Sequence, residues 1–159
     1  MRKAGALLAR RSYSRSELQE RLVRFAGELP IDTVLDRLEQ LNLLNDAEYA
    51  YNFALCRMKQ DGWGPTKIQH SLLRRQVEQK TIEAALQRAE DALGGETTIE
   101  RYAREYFSKK GLPADLKTLR RAIAHLVQRG FDEDGIMSVL RQMVPAKLWH
   151  RFETGESFE

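Results

Sequence analysis

Few side chains in this sequence are of a type that does chemistry, and their spacing limits what they can do. The histidines are His70, His125 and His150, and they show no metal-ligand spacing with one another or with carboxylates. Each is expected as a surface or partly buried helix residue. Cys56, the only cysteine, lies in the run Phe53-Ala54-Leu55-Cys56-Arg57-Met58, where a small buried hydrophobe is expected rather than a nucleophile. One cysteine also excludes an intrachain disulfide and a cysteine-rich zinc site. Gly62-Trp63-Gly64-Pro65 has two glycines, but no lysine directly follows them and no strand precedes, so it does not read as a phosphate cradle. Asp132, Glu133 and Asp134 crowd one helix start, where they complement the positive end of the helix dipole. No catalytic constellation, metal site or cofactor cradle emerges, and a non-enzyme is expected.

The chemistry that remains is cationic. Basic residues sit on helical stretches beside turns: Arg57 and Lys59, Arg74 and Arg75, Lys109 and Lys110, Arg120 and Arg121. Adjacent helical residues diverge by about 100°, so Arg74 and Arg75 cannot both point into one core. Singly, each reads as a solvated side chain. Together they can track a phosphate strand or an acidic protein groove. Net charge adds little, because 26 Lys and Arg against 23 Asp and Glu leave only +3 despite a pI near 9.1. No block is a basic arm, so charge alone does not give strong DNA affinity. Trp63 is expected to be structural first, with a rim anchor as its other use.

The elements that must position these cations are helices. Apolar residues recur at three- and four-residue intervals, as in Val34, Leu35, Leu38, Leu41 and in Leu119, Ile123, Leu126, Val127. No alternating strand pattern is present, and the class is all-α. Ser14 with Glu17 forms a capping box, Asn45 with Glu48 a looser one, and Thr97 with Glu100 a third. Pro65 suits a first helical position, while Gly62, Gly64, Gly94-Gly95 and Gly111 interrupt helices. Nine helices are predicted, near 3–11, 15–26, 31–42, 46–59, 65–75, 79–92, 98–110, 116–129 and 133–142. The first eleven residues are too short in apolar length and too quickly closed by Arg10-Arg11 for a signal peptide. No apolar run reaches the ~20 residues of a membrane span. A soluble, cytoplasmic chain is expected.

The helices repeat. A shift of 50 residues lays Tyr13, Leu18, Gln19, Leu22 and Arg24 on Trp63, Ile68, Gln69, Leu72 and Arg74. A shift of 54 lays Leu72, Leu73, Arg75, Val77, Ile82 and Leu86 on Leu126, Val127, Arg129, Phe131, Ile136 and Leu140. An aromatic or aliphatic residue before the cap and an aliphatic inside the helix make a hydrophobic staple, which fixes the helix entry angle. The expected organisation is three tandem three-helix repeats, 1–44, 45–94 and 95–144, followed by a tail at 145–159. Trp149, Phe152 and Phe158 are expected to cap the third repeat, while Glu153, Glu156 and Glu159 make the final stretch polar and frayed. Stacked repeats imply an elongated, curved arrangement that suits a macromolecular partner.

Ordered motifs sharpen this picture. Leu44-Asn45-Asp46-Ala47-Glu48-Tyr49-Ala50, then Arg57, then Gly62-Trp63-Gly64-Pro65-Thr66-Lys67-Ile68 with Leu72 resembles the central pattern of the RecX family. Leu126-Val127-Gln128-Arg129-Gly130-Phe131 with Ile136 and Leu140 resembles its closing segment. Ser14-Arg15-Ser16-Glu17-Leu18 with Leu22 resembles its opening one. Together these span residues 4–142 in order, and the family's three tandem three-helix repeats match the internal period. One position departs: Arg75-Gln76-Val77 stands where the family places lysine, glycine and an aliphatic, and glutamine lacks glycine's ease at positive φ.

The resemblance implies a negative regulator of the RecA recombinase. Such a protein binds the RecA filament on single-stranded DNA along its groove and inhibits ATP hydrolysis, strand exchange and co-protease activity. Arg57, Lys67, Arg74, Arg75, Arg120, Arg121 and Arg129 are the expected partner contacts, with no cofactor, no metal and a monomeric chain. Reversing Arg74 and Arg75 to glutamate is expected to leave helicity intact and weaken inhibition. Two other readings stay open: a DNA-binding protein of tandem helix-turn-helix-like units acting without RecA, and a helical adaptor for another partner.

Overall fold

The structure is a computed structural model that describes residues 1–26, 30–94 and 97–155. Among these it is all-α, with ten helices: α1 (Arg2–Leu8), α2 (Arg15–Ala26), α3 (Ile31–Gln40), α4 (Asp46–Cys56), α5 (Pro65–Leu73), α6 (Gln79–Asp91), α7 (Thr98–Lys110), α8 (Leu116–Arg129), α9 (Glu133–Met143) and α10 (Ala146–Glu153). A π turn at Arg57–Asp61 follows α4. Gly95, Glu156, Phe158 and Glu159, which figured in the sequence expectations, lie outside the described residues.

Packing divides the chain into two compact units. Unit 1 comprises Met1–Cys56 with Gln69–Ala92, and unit 2 comprises Arg57–Ile68 with Leu93–Glu159. In unit 1, α1, α2 and α3 bury Ala4, Tyr13, Leu18, Leu22, Leu35 and Leu38 in one cluster, with Leu44. Tyr13 and Leu18 share that cluster, as the staple predicts. Elsewhere in unit 1, α4 runs against α6. Ala50 and Ala54 on one, and Ala85 and Ala89 on the other, are small buried side chains that let two helix axes approach closely.

The cap chemistry is as read. Glu17 N–H donates to Ser14 Oγ at 3.1 Å while Ser14 N–H donates to Glu17 Oε2 at 3.2 Å. Thr97 and Glu100 repeat the exchange, and α5 begins at Pro65. Asp115 with Thr118 makes a further capping box that the sequence did not declare, because threonine replaces the usual Glu or Gln.

Unit 2 is built on α7, α8 and α9 around Ala103, Phe107, Leu119, Leu126, Ile136 and Leu140. Residues 146–153 lie beyond the nine expected helices and form helix α10, with Trp149 and Phe152 packed on the unit 2 cluster. Leu148 and Trp149 are buried in the same cluster. Glu153, expected to fray, accepts from Trp149 Nε1 at 2.9 Å and from Arg141 Nη2 at 2.6 Å. Three apolar side chains on two turns are too few for a periodicity signal, yet each buried one contributes about 1.5–3 kcal/mol. A correction concerns Cys56, which is exposed. It ends α4 where the helix widens into the π turn, on the side away from the buried alanines.

Candidate functional site

The helix-end cap that closes α3 at Asn42 recurs at two further helix ends, after α5 in unit 1 and after α8 in unit 2. After α5, Gln76 N–H bonds Leu73 O at 2.8 Å and Val77 N–H bonds Leu72 O at 3.2 Å. After α8, Gly130 N–H bonds Val127 O at 2.9 Å and Phe131 N–H bonds Leu126 O at 3.3 Å. Gly130 has φ +89° and Gln76 has φ +56°, so glutamine adopts the left-handed turn despite its side chain. The departure from the family pattern therefore changes the residue and keeps the turn.

The caps after α5 and α8 each receive the start of another helix. In unit 1, Ser14 Oγ donates to Arg75 O at 3.0 Å. In unit 2, Gly64 N–H donates to Arg129 O at 2.7 Å, and Thr66 N–H donates to Gly130 O at 3.1 Å. The Gly62-Trp63-Gly64-Pro65 and Arg129-Gly130-Phe131 motifs are thus two halves of one joint. Gly64 is buried there, and a Cβ on it would stand 2.6 Å from Phe131 N and closer still to the Gly130 carbonyl.

These joints position the predicted cations. Arg75 is half-buried in unit 1, donating from Nη1 to Ser71 O at 2.6 Å and to Ser71 Oγ at 2.7 Å. It pairs with Glu17 at 3.5 Å and lies 4.8 Å from the Phe53 ring centroid. The hydroxyl of Tyr49 donates to Glu17 Oε2 at 3.0 Å, and burial, with the Glu17 charge, pushes its pKa up to about 12. Arg75 therefore ties the end of α5 to Glu17 within unit 1. Its neighbour Arg74 is exposed.

In unit 2, three predicted residues come together. Arg57 pairs with Asp61 within the π turn and lies 5.0 Å from the Trp63 ring centroid, while Lys67 lies 4.7 Å from the same ring. Arg129 donates from Nη1 to Asp61 O at 2.7 Å and lies 5.2 Å from the Tyr102 ring. Cations over aromatic faces are held by the ring quadrupole. Behind Tyr102, His125 accepts or donates across 2.8 Å to the Tyr102 hydroxyl and stacks on Tyr106 at 4.5 Å. Burial, then the charge of Arg129, holds its pKa below the usual imidazole range. Arg120 and Arg121 are exposed on α8.

Around Trp63 and Tyr102 the surface of unit 2 opens into a hollow of about 470 Å³. Its cations are Arg57, Lys59, Arg101, Lys109 and Arg129; its carboxylates are Asp61 and Glu105. The local excess equals the formal charge of the whole chain. Lys59 and Lys109 were visible in sequence only as basic pairs beside turns. Arg101 and Tyr102 were missed. Arg101, Glu105 and Lys109 stand at four-residue intervals on α7, a stripe that sequence alone reads as a solvated face. What turns it into a site is Arg101 Nη2 donating to Met58 O at 2.9 Å, a contact across 43 positions.

Short helices joined by a repeated cap, with a cationic hollow beside one joint, define a helical-repeat protein. A family model described as RecX, second three-helix domain, matches residues 45–86. The chain is 36% identical over 141 residues to the regulatory protein RecX of Chromobacterium violaceum, covering 87% of this chain and 86% of that one. It is equally identical to the regulatory protein RecX of Pseudomonas tolaasii, covering 87% and 88%. A crystal structure of RecX from Lactobacillus salivarius superposes with a TM-score of 0.75 at 21% identity, over 89% of this chain and 92% of that one. The chain belongs to the RecX family of regulatory proteins. Among the described residues, no helix is long and apolar enough to cross a membrane.

Proposed function

We propose that this protein is a negative regulator of the RecA recombinase, binding the RecA–single-stranded DNA filament along its groove. It lowers ATP hydrolysis, strand exchange and co-protease activity there, acting as a cytoplasmic monomer. Family membership along nearly the whole chain carries this reading. The contacts assigned to the partner are Arg57, Lys67 and Arg129 in unit 2, with the exposed Arg74, Arg120 and Arg121. Arg75 is assigned a place among them chiefly as the residue that positions Arg74. Three tandem units, 1–44, 45–94 and 95–144, are the organisation of this reading, supported by the twice-built joint and by the family model at 45–86.

Charge in the unit 2 hollow favours one alternative, a DNA-binding protein that acts without RecA. Cosedimentation separates the two. The protein should pellet with preformed RecA filaments at salt concentrations where it leaves bare single-stranded DNA. Retention on bare DNA with no preference for the filament would replace the first reading with the second.

A further inference from the structure

We propose that the unit 2 hollow is a phosphate site, taking the phosphate groups of a nucleotide or of a single polynucleotide strand without reading its bases. This deepens the reading above by naming the ligand chemistry of its cationic group.

Like charges gathered in a hollow repel one another, and something must hold them. Here the π turn does so: Met58 O anchors Arg101, Asp61 O anchors Arg129, and the Asp61 carboxylate pairs with Arg57. One interrupted turn thus gathers three guanidinium groups with its own acceptors. A π turn is uncommon and is frequent at functional sites. Arg101 and Arg129 each use one N–H in these anchors, and a guanidinium carries five, so both keep donors for an outside acceptor. Lys59 and Lys109 are exposed and add mobile point charges at the rim. Two carboxylates leave the site short of counter-charge, which a bound anion would supply.

The lining also decides what sort of anion fits. Met58 is its only aliphatic side chain and is 1% exposed, so the hollow has no apolar pocket to anchor an acidic peptide. The rings are committed as well. Trp63 carries two cations over its face, and Tyr102 lies among Arg129, His125 and Phe131. They fix the cations and offer no clear face for a base, unlike the stacking platforms of sequence-tolerant strand binders. Phosphate oxygens, met by forked guanidinium donors, are the match.

The test uses the full-length protein and two charge-matched double variants. Lys59→Glu with Lys109→Glu reverses the rim of the hollow. Lys117→Glu with Lys147→Glu makes the same charge change at exposed positions of unit 2 outside it, and circular dichroism confirms that both fold. A labelled oligodeoxythymidylate should bind the wild type at low salt, and an oligodeoxyadenylate of equal length should bind equally. The rim variant should bind about tenfold more weakly with a shallower salt slope, and the control should change by less than about twofold. Equal losses in both variants, or none in either, would overturn the site. So would poly-L-glutamate displacing the labelled strand as well as unlabelled oligodeoxythymidylate does at equal charge. Displacement by pyrophosphate or ADP assigns the site to free nucleotide phosphates; loss of strand binding without such displacement assigns it to strand phosphates. RecA-coupled ATP hydrolysis, measured alongside, keeps the two proposals apart. Phosphate binding without inhibition upholds the site and sinks the regulator reading, and the reverse result does the opposite.

Discussion

Replacing Gly64 by alanine should open the joint between α5 and α8. Gly64 is buried, and an added Cβ would lie 2.6 Å from Phe131 N with the Gly130 carbonyl nearer still. Those neighbours are backbone, so they cannot swing aside as a flexible side chain would. Restoring ordinary contact requires the two segments to part by about 1 Å. The Gly64 N–H to Arg129 O bond, now 2.7 Å, and the Thr66 N–H to Gly130 O bond, now 3.1 Å, would both be lost. A buried polar group left without its partner costs about 1–3 kcal/mol. Alanine returns up to about 1 kcal/mol by restricting the unfolded chain. The net expectation is a loss of about 2–4 kcal/mol, or a fall of about 5–15 °C in thermal midpoint. Gly5→Ala is the control, because Gly5 lies exposed in α1 with nothing within 4 Å of a new Cβ. It should gain about 0.5–1 kcal/mol. Urea and thermal unfolding followed by circular dichroism read both changes. A Gly64→Ala protein within about 0.5 kcal/mol of the wild type would refute the account of the joint.

Three further outcomes are expected. Gln76→Gly should stabilise the protein by about 1 kcal/mol in urea unfolding, since φ is +56° there and only glycine takes it freely; a loss would show that the Gln76 side chain supports the turn. Arg74→Glu should leave the unfolding midpoint unchanged and weaken filament inhibition, whereas Arg75→Glu should cost about 1–3 kcal/mol by breaking the Ser71 bonds and facing Glu17 with like charge; equal stability in the two variants would contradict these roles. Because the folded pKa of His125 is depressed, the neutral ring belongs to the native state. Its contribution is complete above the unfolded value of 6.5 and declines as pH falls below it, where the unfolded chain takes up the proton first. The thermal midpoint should drop between about pH 7 and 5, and His125→Asn should flatten that drop; an equally steep decline in the variant would assign it to other groups.

What the sequence disclosed follows from the range over which each interaction acts. Caps are local: Ser14 with Glu17 and Thr97 with Glu100 declare themselves within three residues, and both helix starts were placed correctly. The internal repeat at a shift of 54 was legible for the same reason, and the structure gives it meaning as one cap built after α5 and again after α8. The cationic site was only half legible. Arg57 and Arg129 stood out through motifs, but Arg101 joins them by a bond to Met58 O that no periodicity announces. Cys56 was misjudged because its apolar neighbours suggested burial, whereas it stands about 200° round α4 from the buried Ala54. Helix α10 escaped because its apolar signal is only Leu148, Trp149 and Phe152, and burial in the unit 2 cluster sustains it.

The central claim is that this chain regulates RecA on its filament. The most direct measurement is titration of the purified protein into preformed RecA filaments on single-stranded DNA while ATP hydrolysis is followed. Hydrolysis should fall as protein is added. A fall at substoichiometric protein would mark end capping or disassembly, and a fall only near saturation would mark occupation of the groove. Unchanged hydrolysis at saturating protein, with the protein instead held on bare DNA in a salt-sensitive way, would contradict the claim.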